Sequence, residues 1–223
     1  VAFIPDGNKQ VMSFFGVRPG SVKLIKTSAN QAITDGNNSC YSLAGAVYEV
    51  YSDSAATNKV ATITTGSDGT GVADGIKAGT YYVKETQAPK GYALDTTVYT
   101  VTVKPGKTTE LAVKDVPQND PTLMGVVKVD AETGKASPLG AGTLAGAEFT
   151  ISYYNGFYTK DNLPSTPTRS WVVKTDADGQ SGLLAASLDP ESYLVSGDEF
   201  YKDSFGKATL PLGTVVVKET KAP

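Results

Sequence analysis

The chain has 223 residues, 40% of them apolar, with 12 tyrosines, no histidine and a formal charge of −3, a length that admits two domains of ordinary size. The missing histidine excludes His-based acid-base chemistry, Ser-His triads and most zinc sites, and the absence of a basic cluster excludes a nucleic-acid footprint. Cys40 is the only cysteine, so no intrachain disulfide can brace the fold.

Thr, Val, Tyr, Ser and Gly dominate and long helical periods are missing, which points to an all-β chain. No apolar run reaches the length of a membrane span, and Val1 opens without a signal-peptide pattern. The sequence reads as a segment of a larger secreted protein, with no cofactor implied.

In chain order, VAFIPDGNKQVMSFFGVRP (1–19) gives strand, turn, strand, then Val and Pro. SVKLIKTS (21–28) is a strand, TDGNN (34–38) a turn, LAGAVYEVY (43–51) a strand, and GSDGTG (66–71) a hairpin turn. AGTYYVKETQAP (78–89) and VTVKPGKTTELAVKDVP (101–117) supply the next strands, and the polar QNDPT (118–122) reads as a linker. The landmarks then recur in the same order: GVVKVDAE (125–132), LAGAEFTIS (144–152), DADGQSG (176–182) and LGTVVVKETKAP (212–223).

The interval from Leu144 to Lys218 is much longer than that from Leu43 to Lys84, so the second copy carries an insertion, placed at about 153–208. Short alternating strands between Gly, Asp and Asn clusters predict tandem β-sandwiches over 19–118 and 119–223, the second lacking its last strand. Residues 1–18 read as the last hairpin of a preceding or swapped unit. DADG (176–179) departs from a calcium loop, since Ser181 and Ser187 replace its glycine and terminal glutamate, and is read as a turn.

Strand side chains alternate between faces, so the neighbours two positions away assign a face to each charge. Lys26 shares one with Val22 and Leu24, Glu85 with Tyr81 and Val83, and Asp115 with Leu111 and Val113. A Lys, a Glu and an Asp are thus expected in one core. An isolated buried charge is too costly to keep, and desolvation favours the neutral forms of amines and carboxylic acids. A neutral amine beside an uncharged carboxylic acid is a nucleophile facing an electrophile. Attack of Lys26 on Asp115 would expel water and leave an isopeptide bond, with Glu85 moving the protons. The competing reading is a buried ion cluster without a covalent bond.

The strand with Lys26, the LAGA-x-[YF] strand, VKETQAPKGY (83–92) and the closing VKDVP (113–117) together resemble the collagen-adhesin B-type (SpaA-like) domain of Gram-positive sortase-assembled pilins and surface adhesins. The resemblance implies tandem immunoglobulin-like (reverse-Ig) β-sandwiches in an extracellular, cell-wall-attached stalk, with other pilin or adhesin subunits as partners. It also implies Lys26 as nucleophile, Glu85 as proton shuttle and Asp115 as acceptor. That family often has Asn at the acceptor position, so Asp here means loss of water in place of ammonia.

In the second copy Lys128, on a face with Met124 and Val126, and Glu219, on a face with Val215 and Val217, repeat the first two members, with the acceptor absent from the sequence. The N-terminal hairpin has Gly16 near the acceptor position, after Met12 and Phe14, and supplies none. An alternative function is an adhesive module that binds a host extracellular protein or glycan through the aromatic insertion, with Tyr154, Phe157, Tyr158, Trp171, Tyr193 and Tyr201 as candidate contacts.

The insertion's Asp189, Glu191, Asp198 and Glu199 single out no acid-base pair, so multiple-turnover catalysis is not expected. LPSTP (163–167) is read as a loop and Cys40 as a buried strand-end residue, and Lys9, Lys104 and Lys107 lie near loops, with no sortase linkage site to be chosen among them.

Overall fold

The computed structural model describes residues 2–6, 9–13, 16, 18–34, 37–120, 125–181 and 190–223. Phe14, Met124, Asp189 and part of the 118–122 linker lie outside them. The chain is nearly all β and divides into two compact units, Val1–Thr27 with Leu43–Asp115, and Ser28–Ser42 with Val116–Pro223.

In the first unit β1 (Ala2–Asp6) and β2 (Lys9–Ser13) form an antiparallel hairpin. They are followed by β3 (Gly20–Ser28), β4 (Val47–Tyr51), β5 (Lys59–Thr64), β6 (Thr70–Ile76), β7 (Gly79–Gln87), β8 (Val98–Val103) and β9 (Thr108–Asp115). These make a three-stranded sheet in the order β6-β3-β9 and a four-stranded sheet in the order β5-β4-β7-β8. Val22, Leu24, Tyr48, Val50, Ile63, Val83, Val103 and their neighbours fill one core. Alternation places them there: along β7 Tyr81, Val83 and Glu85 are buried while Thr80 is exposed and Tyr82 and Lys84 are half-buried.

The second unit opens with a one-turn helix, α1 (Gln31–Thr34), and continues with β10 (Asn119–Asp120), β11 (Val126–Val127), β12 (Glu148–Tyr154), β13 (Arg169–Lys174) and β14 (Gln180–Ser181). A 3-10 turn at Pro190–Tyr193 precedes β15 (Leu194–Gly197), β16 (Tyr201–Lys202), β17 (Ala208–Pro211) and β18 (Thr214–Lys221). Its sheets run β15-β13-β12-β18, β11-β14 and β10-β17-β16. The pairings β12-β13, β12-β18 and β11-β14 repeat β4-β5, β4-β7 and β3-β6. Since β13 and β14 fall inside 153–208, the added material is not one block. It comes as the longer β12–β13 connection and as the stretch between β14 and β18.

Residues 28–42 also cluster with the second unit, although the repeat places them in the first. Long-range hydrogen bonds tie them there. Asn38 Nδ2 donates to Tyr153 Oη (2.9 Å) and Leu212 O (3.0 Å), and Tyr41 Oη donates to Gln118 O (2.6 Å). Cys40, in the same segment, is buried.

Candidate functional site: a buried lysine between two carboxylates

The site of the first unit is built by three strands. Lys26 ends the apolar row of β3, Glu85 that of β7 and Asp115 that of β9, at 1%, 0% and 1% exposure. Lys26 Nζ donates to Glu85 Oε1 at 2.7 Å and lies against Asp115 Oδ2 in a fully buried ion pair. That oxygen has no hydrogen-bond partner among the described residues, and the ion pair with the lysine is what compensates its burial. Burial pushes the Asp115 carboxyl up, against the pull of Lys26, and the nearby Glu85 and Asp95 carboxylates raise it further.

The loop after β7 orients the glutamate. Asp95 N donates to Glu85 Oε2 at 2.7 Å, which leaves Oε1 facing the lysine. The Asp95 side chain is itself braced, accepting from Tyr99 Oη at 2.6 Å and from Thr97 N at 3.0 Å. Burial alone would raise the Asp95 carboxyl, yet these bonds leave it below its ordinary value. Burial and the same hydrogen bond push the Tyr99 phenol up to about 12.

The lysine strand is held by the Asp-Gly turn. Lys26 N donates to Gly69 O at 2.9 Å, and Gly69 has φ of 75° with no room for a Cβ, which would strike Lys26 O. In the second unit Lys128 N donates to Gly179 O at 2.7 Å, and Gly179 has φ of 72°. The DADG turn is thus a support for the lysine strand. Asp176 Oδ1 accepts from Asp178 N and Gln180 N at 2.9 Å each, as a turn carboxylate does.

One member of the first site escapes the charge-based reading. Tyr48 on β4 is the register partner of Glu85 on β7, and its ring is fully buried. Its hydroxyl accepts from Lys26 Nζ at 2.8 Å and donates to Asp115 Oδ1 at 3.5 Å. The LAGA-x-[YF] pattern contains it, but a tyrosine in a strand signals only core packing.

In the second unit Lys128 Nζ reaches Glu219 Oε1 and Oε2 at 3.0 and 3.1 Å. The side chains are 22% and 38% exposed, against 0% for both Lys26 and Glu85. Among the described residues no carboxylate stands where Asp115 does, and β18 pairs with β12 alone whereas β7 lies between β4 and β8.

The aromatic candidates divide differently from expectation. Trp171, Tyr201 and Tyr154 are buried at 1%, 9% and 7%, so they are packing residues and present no contact surface. Trp171 stacks on Phe200 and its Nε1 donates to Asp198 O at 2.7 Å, while Arg169 lies over the Tyr201 ring. The polar edge of Trp171 finds its partner inside, which is how a polar-flanked aromatic joins a core. Tyr158 and Tyr193 are half-buried, and Phe157 is exposed. Asp198 Oδ2 accepts from Ser170 N, a structural use of one insertion carboxylate. No group of metal-binding side chains occurs among the described residues, and no helix there is long and apolar enough to cross a membrane.

Residues 20–117 match the family described as SpaA, a prealbumin-like fold domain. Among solved structures the chain is similar to the Bacillus anthracis TIE protein, at 28% identity and a TM-score of 0.56, over 92% of this chain and 29% of that one. It also matches the C-terminal fragment of the pilus adhesin SpaC from Lactobacillus rhamnosus GG (18% identity, TM-score 0.44, 91% of this chain and 76% of that one). A third match is BcpA, the major pilin subunit of Bacillus cereus (20% identity, TM-score 0.40, 61% and 42%). The chain therefore spans under a third of the TIE protein and under half of BcpA. No curated protein matches at a significant level. The matched span holds the two-sheet core of the first unit and its Lys-Glu-Asp cluster, so the similarity to the SpaA prealbumin-like domain lies in that unit.

Proposed function

We propose that the chain is a stalk segment of a pilus or surface adhesin, extracellular and attached to the cell wall, whose first unit locks itself with a Lys26–Asp115 isopeptide bond. The observation that carries this reading is the buried Lys26 Nζ held between Glu85 Oε1 and Asp115 Oδ2.

Asp115 enters as the acid, the form that burial favours. Glu85 takes a proton from the Lys26 ammonium, and the freed lone pair forms the bond to Asp115 Cγ. The tetrahedral centre loses Oδ2 as water, which carries off its own proton and one from the nitrogen, and Glu85 ends protonated. Three fixed groups in a water-poor core need no cofactor, because proximity supplies the catalysis. The reaction runs once per molecule.

The bond closes a loop of about 90 residues, worth roughly 4–5 kcal/mol if it follows the chain-entropy relation for disulfides. It also ties β3 to β9, so tension across the unit loads a covalent bond that no reductant opens. This suits a disulfide-free surface stalk, and its partners are other pilin or adhesin subunits.

Intact mass of the purified chain tests the reading beside a Glu85→Ala variant, with a digest searched for the Lys26–Asp115 crosslinked peptide. The parent is expected one water lighter than its sequence and the variant not. An unmodified mass in both would reduce the site to a buried ion cluster.

A further inference from the structure

The second unit provides a control for Tyr48. Phe149 on β12 is the register partner of Glu219 on β18, as Tyr48 is of Glu85, and each is buried in its core. The fold asks for an aromatic ring at this position, and a phenyl ring meets that demand. The hydroxyl is an addition of the first unit. A buried hydroxyl is costly unless it is hydrogen-bonded, and that of Tyr48 is bonded to both reacting groups, Lys26 Nζ at 2.8 Å and Asp115 Oδ1 at 3.5 Å.

We propose that Tyr48 is a further catalytic residue of the crosslink, its O–H stabilising the negative charge that develops on Asp115 Oδ1 as Lys26 Nζ adds to Cγ. The inference rests on the crosslink reading above. An amine nitrogen has two N–H bonds and one lone pair besides its bond to Cε. Glu85 Oε1 and Tyr48 Oη accept the two N–H bonds, which leaves the lone pair for the third neighbour, Asp115.

The two acceptor oxygens then have separate fates. As the N–C bond forms, the carbonyl π pair moves onto Oδ1, where the Tyr48 O–H meets it. As that pair returns, the C–Oδ2 bond breaks, and Oδ2, which among the described residues is held only by its contact with Lys26, leaves as water. Oδ1 remains as the amide oxygen. Tyr48 keeps its proton throughout, since burial pushes its phenol far above the ordinary range. The 3.5 Å separation describes the ground state, and such bonds tighten as charge builds.

The test is a time course of intact mass on the full chain made by cell-free synthesis, for the parent, Tyr48→Phe and Glu85→Ala. The parent should lose one water, Tyr48→Phe should lose it about 100-fold more slowly, the usual effect of removing one such donor, and Glu85→Ala should not lose it. Thermal melts of Glu85→Ala and of Glu85→Ala/Tyr48→Phe, both uncrosslinked, should coincide within a few degrees, as the phenylalanine of the second unit leads one to expect. Tyr48→Phe at the parent rate would overturn the proposal. A slow Tyr48→Phe whose double variant melts far lower would also overturn it, assigning the hydroxyl to packing. A parent that never loses water would overturn the crosslink reading itself, before any difference between variants could appear.

Discussion

Lys26–Glu85 and Lys128–Glu219 are the same pair in the two copies of one motif, yet the first is sealed and the second is half in solvent. The local sequence is nearly identical, VKET in both, and so is the register across the strand that carries the aromatic. What differs is the neighbour. In the first unit β8 covers the outer edge of β7, and β9 lies beside β3 and delivers Asp115. Val83, between them, is 0% exposed, while its counterpart Val217 is 40% exposed. A reactive environment therefore does not belong to the Lys-Glu motif. It is made by the closing hairpin, which supplies the acceptor and the desolvation together.

The sharpest way to break this comparison is to remove the two lysines in turn. Lys26→Met abolishes the proposed bond and leaves Glu85 and Asp115 buried without their cation, so the first unit should lose at least about 4–5 kcal/mol. Chemical denaturation of the parent and variant checks this. A loss below about 1 kcal/mol would mean that no crosslink had been present.

The supporting glycines come next. Gly69→Ala and Gly179→Ala each place a Cβ on a left-handed backbone and against the carbonyl of the site lysine, at a cost of about 1–3 kcal/mol. Both units should melt earlier by comparable amounts, but only Gly69→Ala should also slow the loss of water, because it alone displaces a reacting nitrogen. Equal mass kinetics for the parent and Gly69→Ala would separate the turn from the chemistry.

pH gives a smaller, graded effect. Water can leave only if Asp115 is protonated. Burial raises its pKa, so the acid form persists to higher pH than in an exposed aspartate, and is lost as pH rises through that raised value. Beyond it the rate of water loss should fall about tenfold per pH unit. Initial rates between about pH 5 and 9 measure this, and a rate that climbs across the whole range would show that the amine, and not the acid, limits the reaction.

Much of this was legible in the sequence because strand faces alternate with a period of two. Lys26, Glu85 and Asp115 each close a run of apolar residues on one face, and that alone places them inward. Tyr48 was not legible as a site residue: its role comes from lying opposite Glu85, a pairing set by the β4–β7 register. The placement of 28–42 was hidden for a similar reason, since Asn38 and Tyr41 find their partners near residues 118, 153 and 212. Trp171 and Tyr201 stand among the candidate contacts of the insertion, and their burial is not legible from its composition. In β13 alternation turns Ser170 and Val172 away from the core and Trp171 into it, while Tyr201 is buried together with its neighbour Phe200. The extent of the insertion was overdrawn because RSWVVK and KVATIT, the strands β13 and β5, share a pairing and hardly a residue.

The smallest effect is also the one that isolates the role of burial. Lys128→Met removes the same charge from the same motif, but the pair it breaks is partly solvated, and such pairs contribute about 0–1 kcal/mol. The second unit should lose no more than that, and the mass of the chain should not change, since no acceptor stands beside Lys128 among the described residues. Denaturation followed at Trp171, the chain's one tryptophan, which is 1% exposed in the second core, reads this unit directly. A loss of several kcal/mol would mean that Lys128 is as deeply committed as Lys26. The difference between the two sites would then lie in the acceptor that Asp115 supplies and not in solvent access, and the closing hairpin would matter for its aspartate alone.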